Sequence, residues 1–82
     1  MKNANGKLFS TKDFYISAFL IAHGHRVFKI DKTDPHKVFF FFNDFEGRES
    51  FVEGFLYSKA MVEPQSFISA IKALKQLIYA ND

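Results

Sequence analysis

Between Phe14 and Ala22 almost every position is apolar, whereas from Arg26 to Asp31 apolar and charged residues largely alternate. From Phe67 to Ile78 the apolar residues instead return every third or fourth position. These rhythms predict a helix buried on more than one side, a strand, and an amphipathic helix with one wet face. The first helix is expected over residues 11–23. Ser10-Thr11-Lys12-Asp13 has the spacing of a capping box, in which the Ser10 hydroxyl and the Asp13 carboxylate satisfy the first backbone N–H groups. Gly24 provides the stop, since glycine readily takes the left-handed conformation that ends helices.

The strand places Arg26, Phe28 and Ile30 on one face and Val27, Lys29 and Asp31 on the other. Thr33-Asp34-Pro35 is turn chemistry, and Val38 to Phe42 forms a second strand of β-branched and aromatic residues. Pairing Asp31 with Lys37 across a loop of residues 32–36 sets Ile30 opposite Val38 and Phe28 opposite Phe40. That register predicts a core face of Phe28, Ile30, Val38 and Phe40. Lys7-Leu8-Phe9 is expected to add a short third strand. Asn43 or Asp44 is expected to cap a second helix over 46–58, with Phe51, Val52, Phe55 and Leu56 on its apolar side. Val62-Glu63-Pro64 then breaks the chain, and Pro64 opens a third helix over 64–79. The whole reads as one α+β domain over residues 8–80, preceded by a flexible start over 1–7: a capped N-terminal helix, a central antiparallel β-hairpin and two C-terminal helices.

Size makes the aromatic content matter. A chain of 82 residues buries only about 60% of its unfolded surface. The 12 phenylalanines and an apolar fraction of 48% supply the area such a core needs. There is no cysteine, hence no disulfide, thiolate metal site or cysteine nucleophile, and a reducing, cytoplasmic setting is expected. The apolar runs are too short for a bilayer span, so neither membrane insertion nor export is expected. Net charge is +2, with seven Lys/Arg against three Asp/Glu in residues 1–42 and four against six in residues 43–82.

Phe9-Ser10-Thr11-Lys12-Asp13-Phe14-Tyr15, Ala18-Phe19-Leu20-Ile21-Ala22-His23-Gly24-His25, the Val38–Phe42 strand, Val62-Glu63-Pro64 and Leu74-Lys75-Gln76-Leu77-Ile78-Tyr79 together carry a family likeness. Over roughly residues 9–79 the pattern resembles a group of small bacterial proteins catalogued only as a domain of unknown function. That resemblance implies no activity, cofactor or substrate and transfers no functional residue.

Candidate chemistry is sparse. His23 and His25 are two ligands of a conceivable metal site with Asp44 or Glu46, but His36 lies five or six residues along the hairpin from His25, too far at ~3.3 Å per residue to share an ion. A histidine at a helix end beside the C-terminal dipole is the ordinary arrangement, and no metal site or cofactor is expected. Asp44, Glu46, Glu49 and Glu53 gather at the start of the second helix, where they favour its dipole and can pair with Arg48. The serines come without a nucleophile signature, and no glycine-rich phosphate loop is present, so an enzyme is not expected.

The feature with most functional content is the hairpin's other face, made of Arg26, Val27, Lys29, Lys37, Phe39 and Phe41. Three fates suit it: burial under helices, an interface with a protein or a second copy of the chain, or stacking of nucleic-acid bases beside basic side chains. A ribbon-helix-helix reading fails because Phe39 and Phe41 offer no polar group to base edges. The sequence therefore points to a non-catalytic protein-interaction module, capable of self-association, with accessory nucleic-acid binding as the alternative.

Overall fold

The computed structural model of the chain describes residues 7–79. The elements run β1 (Leu8–Thr11), α1 (Phe14–Ala22), β2 (Val27–Asp34), β3 (Lys37–Asn43), α2 (Arg48–Leu56) and α3 (Pro64–Tyr79). They form the α+β architecture expected, with a three-stranded sheet in the order β1-β3-β2. Both neighbours are antiparallel to β3. β1 and β2 therefore run parallel to each other, joined by α1, with β3 inserted between them. The third strand expected over Lys7-Leu8-Phe9 exists, shifted to Leu8–Thr11. The flexible start expected over 1–7 lies outside the described residues except for Lys7, whose carbonyl accepts the Asp44 N–H at 3.0 Å and so already belongs to the fold.

α1 starts three residues later than its capping box implied. Ser10 pairs with Phe41 in the β-ladder and is not available as a cap. Asp13 takes that role, its Oδ1 accepting the N–H groups of Tyr15 at 2.9 Å and Ile16 at 3.0 Å. Gly24 ends the helix as expected, at φ +96°. Its N–H donates to the Ile21 carbonyl and that of His25 to the Leu20 carbonyl, the paired bonds of a Schellman motif. Five successive residues, Ile16 to Leu20, are buried. At 100° per residue they point all round the helix axis, so α1 is covered on several sides. Ser17, the polar member, donates its hydroxyl to the Asp13 carbonyl at 3.0 Å.

The hairpin register differs from the expected one. Asp34 pairs with Lys37, Asp31 with Phe39, Ile30 with Phe40, Lys29 with Phe41 and Val27 with Phe42. The turn is tight, with only Pro35 and His36 between the strands, and Asp34 Oδ1 accepts the His36 N–H at 2.9 Å. Lys32 and Thr33 form one irregularity, stabilised by the Thr33 N–H donating to Asp31 Oδ1 at 2.9 Å. Phe28 is the extra residue of another. These insertions, which a strict period of two does not anticipate, leave Phe28 58% exposed instead of in the core and put Val27 opposite Phe42 on the core side.

The core gathers Phe40 and Phe42 of β3 with residues of all three helices, among them Leu20, Val52, Ala70 and Leu74. α2 is shorter than expected. Neither Asn43 nor Asp44 caps it: Asn43 ends β3, and Gly47 holds the cap position at φ +85° without a side-chain bond. α2 sets Phe51 and Phe55 against Phe19 at ring-centroid distances of 4.8 and 4.7 Å, while Leu56, expected on its apolar side, is exposed. α3 has the bounds expected. Glu63 caps it, accepting from the N–H groups of Gln65 and Ser66, and Ala70 and Leu74 are its buried centre. At its other end the Lys32 ammonium, from the β2 irregularity, donates to the Ile78 carbonyl at 3.1 Å.

Candidate interaction surface

Alternation along β3 divides four consecutive phenylalanines between two surfaces. Phe40 and Phe42 are buried among the helices, and Phe39 and Phe41 are half-buried on the opposite side of the sheet, outside the core cluster. The three helices contribute to the core on the Phe40/Phe42 side. Phe39 and Phe41 thus lie on a face that these helices leave uncovered.

Four of the six residues expected on this face are brought together there. Lys29 lies across from Phe41 and holds its ammonium 4.9 Å from the ring centroid, and Lys37 lies beside Asp34 on the Phe39/Phe41 side. Arg26 is exposed but precedes β2. Val27 does not belong to the face, because the irregularity at Phe28 turns it toward the core. Leu8, Ser10 and Asp34 were missed, and Asp31, which the alternation places beside Lys29, was not counted among the candidates. Leu8 pairs with Asn43 and Ser10 with Phe41, so β1 contributes to this surface, and Asp31 pairs with Phe39. The signal for β1 was the alternation Leu8-Phe9-Ser10-Thr11, which places Phe9 across from Phe42 on the core side.

The electrostatics of the surface are mixed. Lys29 and Lys37 face Asp31 and Asp34 across a patch of a few residues. Hydrogen bonds from Thr33 hold the Asp31 carboxyl below the usual carboxylate range, with a smaller contribution from Lys29. Both edges are poor templates for a further strand, since β1 has only four residues and β2 is interrupted twice.

The other candidate groups serve packing. The His25 ring stacks on Phe45 with centroids 4.2 Å apart and planes 7° from parallel. His23 meets Phe19 and Phe51 edge-on, and its Nε2 lies 3.0 Å from the Met61 carbonyl. Burial lowers the His25 pKa, and His23 lowers it further. Asp44 is engaged by Arg48, whose Nε donates to Oδ1 at 2.9 Å and whose guanidinium lies 4.1 Å from the Phe9 ring centroid. The Arg48 bond depresses the Asp44 pKa. Among the described residues no three His, Cys, Asp or Glu side chains form a group able to hold a metal ion. No helix among them is long and apolar enough to cross a membrane.

The chain belongs to the DUF5659 family, a domain of unknown function, whose pattern matches residues 6–80. No curated protein and no solved structure matches it.

Proposed function

We propose that this member of the DUF5659 family is a non-catalytic, cytoplasmic protein-interaction module that docks a protein partner on the outer face of its sheet. The observation that carries this reading is the division of the phenylalanine run, which leaves Phe39 and Phe41 on the face opposite the helices, joined there by Leu8. The mixed charge of the face favours protein over nucleic acid. A phosphate backbone calls for a consistently basic surface, and here Asp31 and Asp34 sit beside Lys29 and Lys37. The non-catalytic part rests on how the ionisable groups are used: Asp13 and Glu63 cap helices, Asp44 binds Arg48, and both histidines of the His23-Gly24-His25 turn pack on phenylalanines.

A photocrosslinking phenylalanine analogue placed at position 41 in the host cell tests the reading, with the same analogue at Gln76, exposed on α3, as control. The expected result is a protein adduct from position 41, resistant to nuclease and missing from position 76. Adducts that vanish with nuclease, or that form equally from both positions, would overturn it.

A further inference from the structure

Resting on that reading of the face, we infer that its occupant is a second copy of the chain, packed sheet on sheet about a two-fold axis. A two-fold interface must be complementary to itself. The outer face meets that demand in its row order. Phe41 and Lys29 occupy one row, and Phe39 and Asp31 the row two residues earlier along β3. An axis lying between the two sheets, perpendicular to β3 and level with Phe40, brings the Phe41 row of one copy over the Phe39 row of the other. Each copy then sets Phe41 on the partner's Phe39 and Lys29 beside the partner's Asp31, so two aromatic contacts and two ion pairs form from one operation.

The edges point the same way. A four-residue β1 and a twice-interrupted β2 disfavour dimers that extend the sheet, leaving the face as the place for association. Sheets packed this way lie about 10 Å apart, within reach of phenylalanine and lysine side chains from both sides. Size sets the strength. Strands of four, eight and seven residues give a patch of at most roughly 14 by 24 Å, small beside the ~800 Å² per partner of stable interfaces. The dimer is therefore weak and concentration-dependent, with a dissociation constant in the micromolar range or above.

Sedimentation equilibrium from about 10 µM to 1 mM reads this directly. The wild-type mass is expected to rise from the 9.5 kDa monomer toward twice that value. Lys29→Asp and Asp31→Lys alone should each weaken association roughly tenfold. The double variant K29D/D31K should recover most of it, because the exchanged charges still meet across the axis. Circular dichroism melts establish that each variant is folded, and a variant that fails to fold is replaced by Lys29→Ala or Asp31→Asn, for which weakening is likewise expected. A wild-type chain that stays monomeric at 1 mM would overturn the inference, as would a double variant no better than the single ones. If position 41 nonetheless crosslinks another protein in the cell, the docking face stands and only the second copy is wrong.

Discussion

Phe40 and Phe41 are chemically identical neighbours, yet one is 2% exposed among three helices and the other lies half-buried on a face those helices leave uncovered. The difference comes from the pleat of β3, which turns successive side chains to opposite sides, and from the helices' all packing on one of those sides. A run of four phenylalanines is thus two surfaces with separate work. One side supplies cohesion. The other has area to offer a partner.

Truncation should separate the two sides most strongly. Phe40→Ala is expected to cost ~3–5 kcal/mol, enough to unfold much of a domain this small. Phe41→Ala, measured at low protein concentration, should cost only about 1 kcal/mol. Chemical denaturation of both variants gives the comparison, and equal losses would mean that the outer ring is core after all. The β2 irregularity offers a smaller contrast across the same sheet. Val27→Ala should lose about 1 kcal/mol, as a packed valine does when methyl groups are removed, and Phe28→Ala less than about 0.5 kcal/mol. The reverse order would restore a regular register.

The smallest expected effect is an acid response on the core side. Because burial lowers the His25 pKa in the folded chain, the unfolded chain binds the proton first. His25's contribution is fully present above the ordinary value of 6.5 and is lost as pH falls through that value toward the lowered folded one. Asp44 and Glu63, whose pKa values are lowered by Arg48 and by the α3 backbone, contribute stability that is lost only at more acid pH. Urea midpoints at pH 7.5 and 5.5 should therefore differ for the wild type and much less for His25→Phe, which keeps an aromatic ring on Phe45 without a titrating group. An unchanged difference in the variant would remove His25 as the cause.

Much of the architecture was legible in the residues, and the failures share a cause. Pro64 and the stripe from Phe67 to Ile78 defined α3 to its ends, and Gly24 marked where α1 stops. Local chemistry and regular periods suffice for such features. Phe28 was misplaced because a bulge breaks the period of two, and nothing in the alternation records an inserted residue. Ser10 has the right chemistry for a cap, but its pairing with Phe41 joins positions 31 apart in the chain and overrides the local motif. The candidate face was half legible for the same reason: Phe39, Phe41, Lys29 and Lys37 alternate along the hairpin, whereas the β1 contribution depends on the sheet order.

That order also bears on how the chain reaches its fold. β3 pairs with β2 through a two-residue turn, but with β1 only after α1 and β2 have been laid down between them. Closing the short loop forfeits little entropy, and closing the long one forfeits more for only four paired residues. The hairpin and the helix packed on it are therefore the natural nucleus, and β1 joins late. Departure should run in reverse. β1, the first strand in the chain, is held by four paired residues, and because Leu8 and Ser10 complete the outer face, its opening would reshape that surface.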